Sequence, residues 1–207
     1  MTEHPVPAPE GPGAPSPRRP LLLGALAVVA AVAAAYGRTL GVPFVFDDLP
    51  NIVEEPAVHL VTLDLDGLGR AVDGFPAGRW LARLSLALDY RLHGLEPAGY
   101  HLVNLAWHAL ASLLAGRLAL EVLGRLDAAR GVAPAARGRA ALVTALLFAL
   151  HPVQTSAVTY VVQRMAVLAA LFTLLALHAW ARARAAPPGP GQGRVRAAWL
   201  AWGALAA

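Results

Sequence analysis

The sequence predicts an all-α polytopic membrane protein with four complete transmembrane helices, a partial fifth, and a large extracytoplasmic first loop carrying interfacial helices. Three observations lead there. Of 207 residues, 57% are hydrophobic and only 14% are charged, with a mean hydropathy of +0.53, a balance too apolar for an ordinary soluble domain. Apolar runs of membrane-crossing length alternate with short arginine clusters. Nine of the thirteen acidic residues fall within 42–97, so the polar material is gathered into one loop.

Other classes are excluded by the same composition. There is no cysteine, so no disulfide framework, thiol nucleophile or cysteine metal site is available. The net charge of +4 and pI near 10.3 admit nucleic acid as a partner. The basic residues, however, are all arginines in short groups beside apolar spans rather than in one patch, which fits membrane topology and no nucleic-acid role.

Residues 1–20 are proline-rich and read as a disordered cytoplasmic tail. The first span covers about 21–41; a signal peptide is its rival, but the further spans favour a transmembrane helix. The extracytoplasmic loop occupies 42–98. Within it Leu81, Leu84, Leu88 and Leu92 recur at helical spacing, near Trp80 and Tyr90, as in a helix lying along the membrane surface. The second span, 100–123, opens at Tyr100 and carries His101, Asn104, His108 and Arg117. A cytoplasmic loop, 124–139, sets Arg125, Arg130, Arg137 and Arg139 against Asp127 alone.

Residues 140–181 are mostly apolar, and as one helix they would run about 63 Å, twice what a bilayer needs. The chain must therefore fold back. The polar, proline-containing stretch His151-Pro152-Val153-Gln154-Thr155 is the place for it. This gives a short third span core at 140–151, an outer turn at 152–160 and a fourth span at 161–181. A second cytoplasmic loop, 182–197, contains Arg182, Arg184, Arg194 and Arg196, and 198–207 begins a fifth span. The arginine clusters put the amino terminus inside, so the acidic loop and the His151 turn share the outer face. A chain that stops within an apolar run is expected to be part of a longer protein.

Chemistry centres on Asp47 and Asp48, which follow Phe44, Val45 and Phe46 at the expected membrane boundary, where a carboxylate needs a reason to be held. In an extended segment adjacent side chains point to opposite sides, so one acid can face a site while the other supports it. His101 and His108 lie about 10.5 Å apart along a helix and cannot share one ion. Asn104 and His108 suit hydrogen bonds between helices, whereas His101, at the outer end, is the better site contact. Arg164 near the outer end of a span calls for an anion, with a lipid phosphate or diphosphate as the natural class. Arg79 is a second candidate phosphate contact.

Taken together, Pro43-Phe44-Val45-Phe46-Asp47-Asp48, Tyr100-His101-Leu102-Val103-Asn104 with His108, and His151-Pro152-Val153-Gln154-Thr155-Ser156-Ala157-Val158 through Gln163-Arg164 carry a resemblance. They resemble the amino-terminal membrane region of the transmembrane and tetratricopeptide-repeat glycosyltransferases, and more closely their bacterial relatives, of the GT-C superfamily. The resemblance implies a GT-C-like enzyme of the bacterial inner membrane. Such an enzyme takes a sugar from a polyprenyl-phosphate carrier to a protein or glycan hydroxyl outside the cytoplasm, as in protein O-mannosylation. It implies Asp47, with Asp48 beside it, as the catalytic acids, and Mg or Mn on either if a divalent metal takes part. It further implies His101, His151, Gln154, Arg164 and Arg79 around the carrier phosphate. Ser156 stands where an acid often follows the threonine, and Trp80 where proline is common. The family's later spans and repeats fall outside this sequence.

The rival class is non-enzymatic, a transporter subunit or membrane scaffold. A transporter is expected to place ionisable residues near the bilayer midplane and to show related halves, whereas here they gather towards one face. A scaffold would tolerate loss of Asp47.

Overall fold

A computed structural model describes residues 18–73, 79–127 and 133–185, with single positions at 193 and 197. Of the expected tail over 1–20, residues 1–17 lie outside the described residues, as do Arg130, Arg194, Arg196 and the partial fifth span at 198–207, while Arg18, Arg19 and Pro20 are helical. Those described form helices and connecting turns, with no strand among them.

Helix α1, Arg18–Tyr36, runs into a 3-10 turn, Gly37–Gly41. Val28, Val32 and Tyr36, spaced by four, form its buried stripe, while Leu21, Leu22 and Leu23 stay exposed. After the polar loop comes α4, Pro97–Asp127, the central element, about 46 Å long at 1.5 Å per residue. It packs against α1, against α5, Pro134–Leu150, and against α7, Arg164–Ala185. The α4–α5 crossing depends on small residues. A Cβ on Gly116 would lie 2.8 Å from the Ala145 Cβ and 3.0 Å from the Ala141 carbonyl oxygen, so the backbones approach in the manner of membrane helix pairs.

Among the described residues, two helices are long and apolar enough to cross a membrane, Arg19–Gly41 and Val161–Arg184. Pro134–Leu150 and Pro152–Thr159, bent by 45°, add a third if they form one span. The expected four complete spans therefore exceed what the described residues provide. Helix α4 has the length but is not among them, and it carries His101, Asn104, His108, Ser112 and Arg117. Of these, His108 donates to the Ala149 carbonyl at 2.9 Å and Ser112 to the His108 carbonyl at 2.7 Å.

The loop has its own small core. Asp64 caps α2, Leu65–Val72, by accepting from the Gly67 amide at 2.6 Å, and Val58, Leu60, Leu68 and Ala71 pack against Ala87 of α3, Trp80–His93. The leucine stripe is exposed only in its second half: Leu92 is 72% exposed and Leu88 is also exposed, Leu81 and Leu84 are partly buried, and Ala82, Arg83, Leu86, Ala87 and Asp89 are buried. Helix α3 stops at Gly94, whose φ of 60° and ψ of −129° suit glycine.

The two ends of the helix bundle differ. At one, the loop meets the segment after α5. At the other, Glu121 of α4 meets Arg125 at 3.0 Å and His178 of α7 at 2.8 Å, and Arg125 also donates to the Ala181 carbonyl.

Candidate functional site

The two acids are divided by a turn rather than by an extended strand. Phe46 has φ 48°, the one non-glycine residue with positive φ among the described residues, and the chain then enters a single π-helical turn, Leu49–Val53. This turns Asp48 inward, to 1% exposure, and leaves Asp47 exposed. Both Asp48 oxygens are occupied: Oδ1 accepts from the Val162 amide at 2.7 Å and Oδ2 from the Val45 amide at 3.2 Å. Burial raises the Asp48 pKa above the usual carboxylate range, against the lowering effect of those two amides. Asp47 is held by its backbone instead. Its amide donates to the Tyr160 hydroxyl at 2.7 Å, and its carbonyl accepts from the Asn51 side chain at 2.8 Å. The Asp47 carboxylate faces outward.

Arg164 opens α7 at the same end of the bundle, with 0% exposure. Its guanidinium meets Asp89 of α3 at 2.6 Å, the Asn104 Oδ1 at 2.6 Å, the Ser85 hydroxyl at 3.2 Å and the Tyr100 carbonyl at 3.0 Å. Asn104 in turn donates to the carbonyls of Tyr160, at 3.4 Å, and Val161, at 3.3 Å. The anion the sequence called for is thus supplied by the chain's own Asp89. The expected carrier-phosphate contact of Arg164 competes with these partners, which take four of the five guanidinium N–H groups; the residue ties α3, α4 and α7 together.

His101 is also inside, at 1% exposure; it donates to the Val42 carbonyl at 3.1 Å and fastens the end of the first span to α4. His151, Gln154 and Arg79 are nearer the surface. His151 is exposed, and its Nδ1 accepts from the Val153 amide at 3.2 Å, capping the 3-10 turn Pro152–Gln154; Gln154 is half-buried. Arg79 is exposed at the start of α3, on a shallow depression lined also by Asn51, Arg83, Val162 and Met165. Asn51 therefore links that depression to Asp47.

The described residues contain no cluster of three or more histidine, aspartate or glutamate side chains able to hold a metal ion. Within the acid pair, each Asp48 oxygen accepts one backbone amide, while Asp47 is exposed.

Sequence reasoning missed Tyr160, Asn51, Ser85 and the role of Asp89. The aromatic hydroxyl at Tyr160, within the expected outer turn, and Asn51, four residues from Asp47, were within reach; Ser85 and Asp89 depend on pairings with Arg164 across 75 to 79 residues.

No protein-family model matches this chain. No solved structure matches it either. Among curated proteins, it is 32% identical over 165 residues to protein O-mannosyl-transferase TMTC3 of Mus musculus, covering 76% of this chain and 16% of that one. It is 34% identical over 183 residues to Tmtc3 of Drosophila melanogaster, covering 81% and 20%. With TMTC1 of Homo sapiens it is 35% identical over 181 residues, covering 81% and 19%. The chain is accordingly a membrane-protein homologue of the protein O-mannosyl-transferases, spanning about one sixth to one fifth of the length of these relatives.

Proposed function

We propose that this chain corresponds to the amino-terminal membrane region of a GT-C type protein glycosyltransferase. In this reading it lies in a bacterial cytoplasmic membrane with its amino terminus inside, and a sugar passes from a polyprenyl-phosphate carrier to a protein hydroxyl on the outer side. The supporting observation is the division of the acid pair: Asp48 is buried and fully hydrogen-bonded, while Asp47 is presented outward beside it.

In mechanism, the acceptor hydroxyl attacks C1 of the sugar as Asp47 takes its proton, and the bond from C1 to the carrier phosphate oxygen breaks. The leaving phosphate carries the electron pair away. Arg79, His151 and Gln154 are the residues near the surface at this end that suit a phosphate. Asp48, His101 and Arg164 act from inside, by holding the loop to the spans.

The test is transfer of labelled sugar from polyprenyl-phosphate donors, in membranes carrying the natural full-length locus, for wild type and Asp47→Asn. Transfer by wild type and its loss in an inserted Asp47→Asn protein support the reading. Inserted wild type that transfers nothing from a broad donor and acceptor panel refutes it.

A further inference from the structure

Phe46 carries a bulky side chain at φ 48° and is 81% exposed, so burial of its ring does not hold its backbone in place. Non-glycine residues seldom adopt this region, and it persists where neighbouring structure over-determines it. Within the turn, the Asp48 amide donates to the Val45 carbonyl at 3.0 Å and the Leu49 amide to the Phe46 carbonyl at 3.1 Å. From outside the turn, Tyr160 acts on the residue that matters. It lies between the short helix α6, Thr155–Thr159, and the 3-10 turn Val161–Gln163, in extended conformation. Its hydroxyl accepts the Asp47 amide at 2.7 Å, and its ring meets the Phe46 ring edge-on, with centroids 6.5 Å apart at 80°. Its own carbonyl accepts from Asn104 at 3.4 Å, and the Asn104 Oδ1 accepts from Arg164 at 2.6 Å, so Tyr160 is tied to the buried Arg164 network.

We infer that Tyr160 is a positioning residue for Asp47: its hydroxyl fixes the Phe46–Asp47 turn on the α6–α7 segment, so that the Asp47 carboxylate is presented in one orientation. The bond joins residues 113 apart in the chain. It therefore makes the angle of the acidic loop depend on the junction that opens α7. The consequence for catalysis rests on the reading of Asp47 as general base; the consequence for loop order does not.

Tyr160→Phe keeps the ring against Phe46 and removes only the hydroxyl. In the full-length protein in detergent or nanodiscs, hydrogen exchange of the peptide containing Asp47 is expected to quicken by about three- to tenfold, the scale of one lost hydrogen bond. Transfer is expected to fall by about the same factor in kcat with the donor KM unchanged, as for an interaction that matters only as reaction proceeds. In an Asp47→Asn background the same change should alter residual transfer by less than about twofold, since a residue acting through Asp47 has nothing left to act on. Unchanged exchange at Asp47 overturns the proposal. So does an equal loss of transfer with and without the Asp47 carboxylate, which would make Tyr160 a direct substrate contact. If wild type transfers no sugar but exchange quickens in Tyr160→Phe, the positioning role stands and the glycosyltransferase reading falls.

Discussion

Replacing Arg164 with methionine separates the two roles open to this side chain. The guanidinium is fully buried and spreads four contacts over Asp89, Asn104, Ser85 and Tyr100, while the Asp89 side chain is 4% exposed. Arg164→Met fills most of the space but leaves Asp89 as a buried charge without its partner. Breaking such a pair from one side costs about 3–5 kcal/mol. For a chain of this size that corresponds to a fall in Tm of about 6–20 °C. Asp89→Leu should also be destabilising, because the cation is then left with neutral acceptors only. The double variant, with apolar groups on both sides, should be closer to wild type than the sum of the two. The assay is thermal unfolding of the purified protein in detergent, scored for all three variants. A Tm within about 2 °C of wild type for Arg164→Met, together with a large loss of sugar transfer, would refute the reasoning and return Arg164 to the carrier phosphate. Additive losses in the double variant would refute it as well.

Further expectations follow from the packing and from one buried acid. Gly116→Leu drives a side chain into Ala145 and the Ala141 carbonyl, and should cost at least the roughly 1–3 kcal/mol typical of overpacking; the same thermal assay checks it, with Gly69→Leu, where a Cβ meets open space, as the comparison. Gly94→Ala forces a Cβ onto φ 60°, ψ −129°, and a loss of about 1–3 kcal/mol is expected from backbone strain alone. The Asp48 carboxyl has its pKa raised chiefly by burial. The folded protein thus holds that proton more tightly than the unfolded chain, so the contribution is fully present below the unfolded value of about 3.9 and is lost as pH rises through the folded value. Stability measured from pH 4 upwards should show this downward component in wild type and lack it in Asp48→Asn, and identical slopes would contradict the assignment.

Much of the frame was legible because it is written in composition. The first span and the stretch opening at residue 161 are apolar over membrane length, and the proline after His151 falls where α5 stops at Leu150. The site was legible only in outline. Adjacency announced that Asp47 and Asp48 would differ, but not which turns inward, because that depends on the left-handed turn at Phe46 and on an amide at Val162. The leucines of α3 marked a helix, but not which side of it is buried: Ala82, Arg83, Leu86, Ala87 and Asp89 form that side, while Leu88 and Leu92 are exposed. Likewise Arg164 required an anion, and sequence could not reveal that Asp89, on the outer loop, supplies it at 2.6 Å. Spacing on one helix is visible in sequence, while partners on different elements are not.

The central claim is that the neighbouring acids do different work, Asp47 in the reaction and Asp48 in the fold. Sugar transfer and Tm, measured together for Asp47→Asn and Asp48→Asn in the full-length protein, test it most directly. The account predicts that Asp47→Asn abolishes transfer with Tm unchanged, and that Asp48→Asn shifts stability and its pH dependence while transfer survives in the folded fraction. Full transfer by Asp47→Asn, or loss of transfer by a stably folded Asp48→Asn, would contradict it.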